Sequence, residues 1–224
     1  MIPRVLIDTA AIPSGGELRL IQRGTEFSIM LGGNELMNSR LSGSEEALAT
    51  MACARIAARP APHMLIGGLG MGFTLRAALA ELGASARIAV AELVPAVVAW
   101  ARGPMAQITG DSLDDPRVET IVADVVPLIR AARERYDAIL LDVDNGPDAI
   151  TQDGNDRLYD KKGLRAAWAA LRPGGVLAVW SAAADDAFSA RLGRAGFAVE
   201  EVKVRATRSG RGAHHMLWFA TRPE

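Results

Sequence analysis

The chain has 224 residues, of which 50% are hydrophobic and 23% are charged, and its formal net charge at pH 7 is −1. This composition is typical of a globular protein with a sizeable core. It lacks both the basic excess of a nucleic-acid-binding protein and the ~18-residue apolar run that a membrane helix needs. Cys53 is the only cysteine, which excludes an internal disulfide, and the N-terminus lacks the pattern of a signal peptide, so we expect a cytoplasmic protein with a small-molecule partner.

The first 42 residues predict a small antiparallel β-sheet. Strand-like segments at 4–8, 17–23 and 26–31 are separated by turn-forming residues rich in glycine. A helix is predicted from the N-cap Ser44 to about Ala58. Glu45 and Glu46 are interpreted as acids that favour a helix N-terminus, and the alternative is that either of them faces the ligand pocket. We therefore predict two domains, 1–42 and 43–224.

From Met64 onward, strands and helices alternate along the chain. Strands are predicted at 64–66, 86–91, 118–123, 136–141 and 176–180, and helices at 73–82, 95–102, 127–133, 160–170 and 185–195. Such alternation predicts an α/β fold with a doubly wound, mostly parallel sheet. The last two predicted strands, 198–205 and 215–221, have no helix between them and indicate an antiparallel hairpin that completes a seven-stranded sheet.

A glycine-rich turn follows the first of these strands. The segment Ile66-Gly67-Gly68-Leu69-Gly70-Met71-Gly72 leaves an apolar run and enters a predicted helix, an arrangement that lets backbone N–H groups approach a ligand closely. The next strand ends at Glu92, about 20 residues further on, where an acid can accept hydrogen bonds from ribose hydroxyls. Asp124 and Asp142 follow two further strands. Ligands of doubly wound sheets lie at the carboxyl ends of the strands, so we predict a site for a nucleoside-containing cofactor.

The chain resembles the spermidine synthase group (the polyamine aminopropyltransferases) of the class I S-adenosylmethionine-dependent methyltransferase superfamily. The similarity runs from the N-terminal sheet to about Trp180, and it implies the Rossmann-like methyltransferase fold. The order and spacing of the matching segments carry it: Ile66–Gly72, Ala91–Leu93, Asp114–Val118, Ala123–Val125, Tyr136–Asp142, Leu158-Tyr159 and Leu171–Leu177.

The resemblance implies which residues bind the cofactor, S-adenosylmethionine or its decarboxylated form. Glu92 would hold the ribose diol and Asp124 would accept from the adenine amino group. The remaining binding residues would be the glycines of the turn and the neighbours of the two acids: Gly67, Gly68, Gly70, Gly72, Leu93 and Val125.

The same resemblance implies catalytic residues. Asp142 would lie near the sulfonium and orient or deprotonate the attacking nucleophile. Asp144, in the polar loop that follows, is a second candidate, although a solvated turn explains it equally well. Tyr159 is a third, and a core aromatic is the alternative. The spacing of His63, His214 and His215 does not match a metal site, and no metal is expected.

Three departures from the aminopropyltransferase pattern affect the predicted reaction. Gly70 stands where these relatives carry an Asp, 47–50 replaces their Tyr-His pair, and 142–147 alters their D-x-x-D motif. Because a diamine needs acceptor groups at both ends, these losses favour methyl transfer to a small amine- or oxygen-bearing metabolite.

The alternatives are a spermidine synthase-type aminopropyltransferase and a non-catalytic cofactor-binding protein. An RNA methyltransferase is disfavoured by the near-neutral charge. The strand edges of the N-terminal sheet favour a homodimer.

Overall fold

A four-stranded antiparallel sheet forms the N-terminal part of the computed structural model, which describes residues 2–13, 15–143, 156–207 and 212–224. Its strands follow one another in chain order: β1 (Val5–Ala11), β2 (Glu17–Arg23), β3 (Glu26–Leu31) and β4 (Asn34–Asn38). The sequence predicted three strands and treated 32–34 as a closing turn. Gly32, with a φ of 58°, instead forms a tight reversal into the unpredicted β4, which pairs Leu31 with Asn34.

The helix α1 (Gly43–Arg55) follows this sheet and begins earlier than predicted. Its N-cap is Ser42, so the prediction of Ser44 as N-cap is wrong. The Ser44 side chain lies inside the first turn and is fully buried, and its hydroxyl donates a hydrogen bond to the Glu45 carboxylate.

The seven-stranded sheet that was predicted for the rest of the chain is confirmed. Its order is β10-β11-β9-β8-β5-β6-β7. The five strands from β5 to β9 run parallel to one another, and β11 lies antiparallel to both β9 and β10. The strands are β5 (His63–Gly67), β6 (Arg87–Glu92), β7 (Val118–Val122), β8 (Tyr136–Leu141), β9 (Leu171–Ser181), β10 (Ala198–Arg205) and β11 (His214–Thr221).

Helices connect the parallel strands and cover both faces of the sheet. They are α2 (Phe73–Glu81), α3 (Pro95–Arg102), α4 (Ala106–Thr109), α5 (Val125–Ala131), α6 (Asp156–Tyr159), α7 (Lys161–Ala170) and α8 (Asp186–Arg194), with a short 3-10 helix at Gly110–Leu113. The helix α5 begins two residues before the predicted start because the Asp124 carboxylate accepts from the Val126 N–H (2.8 Å) and caps it. Within the described residues, no helix combines the length and apolarity needed to cross a bilayer.

Two hydrophobic clusters lie on opposite faces of the large sheet. One of them continues into the N-terminal sheet, where Leu20, Phe27 and Ile29 join Leu48 of α1 and Met64 of β5. The two-domain division at residue 42 stays a prediction, but these side chains share one core.

Candidate active site

The glycine turn after β5 brings the ends of two strands together. The N–H of Asp142, just after β8, donates to the Gly67 carbonyl (3.0 Å), and the Gly68 N–H donates to the Ala91 carbonyl of β6 (2.8 Å). Gly68 has a φ of +89°, and a Cβ there would collide with the Asp142 carbonyl oxygen. Only glycine permits this close approach, because it has no side chain and tolerates positive φ.

The Glu92 side chain closes the turn from the end of β6. It is buried, and its carboxylate oxygens accept from the N–H groups of Leu69 (3.0 Å) and Val94 (2.9 Å). Burial raises the pKa of Glu92, and the backbone N–H groups around the carboxylate oppose that shift. The carboxylate therefore orders the turn.

A second acid, the half-buried Asp142, follows the end of β8. The Thr74 hydroxyl of α2 donates to the Asp142 carboxylate (2.6 Å). Burial raises the pKa of Asp142 to about 6, although the Thr74 hydrogen bond opposes the shift. Burial, followed by the charge of Asp142, raises the pKa of Glu45 to about 7. Two carboxyl groups thus face the same space, and their like charges resist simultaneous ionisation.

Glu45 was not among the predicted site residues, because the sequence interpretation preferred a helix-terminus role and gave a pocket-facing position only as the alternative. A pattern in α1 could have identified it. Glu45 precedes Leu48 and Ala49 by three and four residues, and both of these are fully buried. Residues at those spacings share one helix face, so Glu45 lies on the buried face of α1.

A cavity of about 420 Å³ joins these groups. Among the predicted site residues, it is lined by Gly68, Gly70, Glu92, Leu93, Asp124, Val125 and Asp142. Glu45 also lines it, together with Met37 of β4, Trp180 of β9 and His215 of β11. The N-terminal sheet, α1 and the terminal hairpin therefore all contribute to the walls.

The other predicted site residues occupy different positions. Gly67 ends β5 and Gly72 precedes α2, so both shape the turn without lining the cavity. Tyr159 lies in the hydrophobic cluster with Phe188, whose ring centroid is 5.5 Å away, and it is absent from the cavity lining. Asp144 lies outside the described residues. Roles for these residues stay predictions.

Gly70 lies against the N-terminal sheet. A Cβ on Gly70 would lie 2.7 Å from the Met37 sulfur, and its φ is +51°. The space where the resemblance places an Asp in aminopropyltransferases is therefore occupied by a thioether from β4. Throughout the described residues, no group of three or more His, Cys, Asp or Glu side chains could hold a metal ion.

Comparison with known proteins identifies one family. A model of the spermine/spermidine synthase domain matches residues 44–184, more than half of the chain. Polyamine aminopropyltransferase 1 of Streptomyces coelicolor is 38% identical over 85 residues, which cover 37% of this chain and 16% of that protein. The polyamine aminopropyltransferase of Mycobacterium tuberculosis is 33% identical over 122 residues, covering 53% and 22%. The matches thus span less than a quarter of either relative.

Solved structures share the fold. Spermidine synthase from Thermotoga maritima superposes with a TM-score of 0.75 at 20% identity, covering 97% of this chain and 72% of that one. A spermidine synthase in complex with the transition state analogue AdoDATO gives a TM-score of 0.73 at 21% identity with the same coverage.

These matches contradict the prediction of methyl transfer. The family model is that of spermine and spermidine synthases, and the relatives named above are polyamine aminopropyltransferases. The prediction was wrong because it counted the Asp absent at Gly70 and the Tyr-His pair absent at 47–50 without the acid at Glu45, which the tertiary structure brings within electrostatic range of Asp142.

Proposed function

The chain belongs to the spermine/spermidine synthase domain family, and we propose that it is an aminopropyltransferase. In this proposal the donor is decarboxylated S-adenosylmethionine and the acceptor is a small aliphatic amine of the polyamine class. The relatives' names support this assignment.

The observation that carries the proposal is the pair of carboxyl groups in one cavity beside the glycine turn, the buried Glu45 and the half-buried Asp142. Both proposed substrates are cations: the donor has a sulfonium and a terminal ammonium, and the acceptor has one or more ammonium groups. Two acids stabilise such charges in a partly buried site. The same acids would repel the carboxylate of intact S-adenosylmethionine, which gives a physical basis for selecting the decarboxylated donor.

The residues of the turn fit the donor's adenosyl part. We expect Gly68 and Gly70 to leave room for it and Glu92 to accept from the ribose hydroxyls. We expect Asp124, which is exposed at the cavity rim, to contact the adenine amino group.

The proposed reaction is a direct displacement. The neutral acceptor nitrogen attacks the aminopropyl carbon attached to sulfur, so an N–C bond forms while the C–S bond breaks and its electron pair returns to sulfur. The products are 5′-methylthioadenosine and the aminopropylated amine. Asp142, held by Thr74, takes the proton that the nitrogen loses. Because the sulfonium is already a good leaving group, the protein mainly aligns the nucleophile.

Product analysis tests this function. The protein is offered putrescine with either decarboxylated or intact S-adenosylmethionine, and products are identified by mass spectrometry. We expect 5′-methylthioadenosine and spermidine only with the decarboxylated donor. Asp142→Asn should lower kcat by about 10²-fold or more, since it removes the proton acceptor.

Asp114→Asn is the matched control, because Asp114 pairs with Arg102 at the surface and does not line the cavity. Its kcat should equal that of the unsubstituted protein. A methylated amine with S-adenosylhomocysteine would contradict the proposal. Donor binding without turnover on any amine would favour the non-catalytic alternative.

A further inference from the structure

A chain of hydrogen bonds links the terminal hairpin to the acid pair. The Nδ1 atom of His215, on β11, lies 2.8 Å from the Ser44 hydroxyl oxygen. Ser44 Oγ in turn lies 2.6 Å from a carboxylate oxygen of Glu45. Ser44 is fully buried and Glu45 is 8% exposed, so neither exchanges its partner freely for bulk water.

The hydrogen-bond chain determines which ring nitrogen of His215 carries the hydrogen. A serine hydroxyl has one hydrogen to donate, and an ionised carboxylate only accepts. When Glu45 is ionised, Ser44 donates to it and must accept from His215, so the ring hydrogen is on Nδ1. When Glu45 is protonated, each hydrogen bond can reverse, and Nδ1 becomes the acceptor. The tautomer of His215 therefore reports the charge of Glu45.

The surroundings of His215 hold the ring in place. Its ring meets the indole of Trp180 edge-on, with centroids 4.7 Å apart at 72°, and both side chains line the cavity. Burial lowers the pKa of His215, which favours the neutral ring that the chain requires. The residue lies outside the segment 44–184 that matches the family model.

We propose that His215 is a positioning residue that acts through Ser44 to hold the Glu45 carboxylate as the acceptor for the cationic end of the amine substrate. The inference rests on the proposed aminopropyl transfer for its substrate. The charges that face Glu45 come from Asp142 after β8 and from Glu46 on α1, and both oppose its ionisation. The hydrogen bond from Ser44 favours the ionised form, and His215 orients that hydroxyl.

Steady-state kinetics with His215→Phe, His215→Asn and Ser44→Ala test the role. His215→Phe should raise the KM for putrescine about 10-fold, the scale of one hydrogen bond to a charged group, and leave the KM for the decarboxylated donor unchanged. It should also move the acid limb of kcat/KM to higher pH, because Glu45 ionises less readily. His215→Asn keeps an N–H donor near Nδ1 and should restore both values to within about threefold.

Ser44→Ala should reproduce the His215→Phe effect, and combining the two should add little, since both interrupt one chain. Thermal unfolding of each variant checks that it is folded. The inference is overturned if His215→Asn raises the KM for putrescine as much as His215→Phe does. It is also overturned if the KM values of both substrates rise together, or if the effects of the Ser44 and His215 substitutions are additive in the double variant.

A measurement independent of turnover separates this inference from the proposed function. Two-bond ¹H–¹⁵N NMR spectra of the ligand-free protein should show His215 with the hydrogen on Nδ1 at pH 8 and a shift in its tautomer in Glu45→Gln. If these spectra are obtained but no aminopropyl product forms, the proposed reaction fails and the hydrogen-bond chain stands. A hydrogen on Nε2 at pH 8 that ignores Glu45→Gln would refute the chain itself.

Discussion

Glu45 illustrates how one buried carboxyl group couples stability to ligand charge. In the free protein, burial and the neighbouring Asp142 both disfavour its ionised form. In the proposed function, the ammonium group of the substrate removes that penalty, because it supplies the opposite charge at the same place. The ionised Glu45 therefore lowers the stability of the ligand-free protein at neutral pH. A cationic ligand would restore that stability.

Glu45→Gln tests this coupling in the absence of ligand. The folded-state pKa of about 7 lies above the ordinary value of 4.5, so the folded protein binds the proton more tightly than the unfolded chain does. The stabilisation from this group is complete below about pH 4.5 and is lost as the pH rises through about 7. A glutamine mimics the protonated acid, so at pH 8 Glu45→Gln should be more stable by on the order of 1–3 kcal/mol.

Denaturant titrations at pH 5 and pH 8 measure the difference. The advantage of Glu45→Gln should shrink towards zero at pH 5, and Glu17→Gln, an exposed acid on β2, should show no comparable pH dependence. A Glu45→Gln protein that is less stable than the unsubstituted chain at pH 8 would show that the free protein stabilises the Glu45 carboxylate, which is the opposite of a raised pKa.

At the scale of elements, the turn between β5 and α2 has little tolerance for side chains. Gly68 faces the backbone of Asp142 and Gly70 faces the Met37 thioether, both at positive φ. The turn therefore joins three elements through contacts that a single Cβ would disrupt.

Gly68→Ala should destabilise the protein by at least about 2 kcal/mol, through the cost of positive φ and the collision with the Asp142 carbonyl. Gly83→Ala is the matched control. No atom lies within 4 Å of a Cβ at Gly83 and its φ is not in the positive range, so its stability should change by less than about 0.5 kcal/mol. Urea unfolding curves measure both, and equal effects would contradict the close approach of β8 to the turn.

Across the whole molecule, the N-terminal sheet and the large sheet share a hydrophobic cluster as well as the cavity. Phe27 of β3 is 2% exposed and belongs to the same cluster as the core of α1. A shared core couples the two parts energetically, and the cavity walls depend on both. The homodimer and the cytoplasmic location stay predictions.

We expect one cooperative unfolding transition for the chain, because the two sheets cannot lose their shared core separately. Phe27→Ala should lower the stability of the whole protein by about 3–5 kcal/mol. Ile7→Ala, on the exposed strand β1 of the same sheet, should have a much smaller effect. Calorimetry distinguishes these cases. Two transitions, with Phe27→Ala shifting only one, would instead support independent domains divided at residue 42.

The sequence by itself determined the seven-stranded sheet, three of the four N-terminal strands and those cavity residues that follow the parallel strands. Alternating strands and helices have strong periodic patterns, and the turn 66–72, Glu92, Asp124 and Asp142 are local features at strand ends, which a parallel sheet brings to one edge. Only the tertiary structure decided the rest. The charge interaction of Glu45 with Asp142, the packing of Met37 against Gly70 and the hydrogen bond of His215 with Ser44 join residues far apart in the chain. No local pattern reports such distances, so the pairing of acids on which the proposed aminopropyl transfer rests emerged only when the elements were packed together.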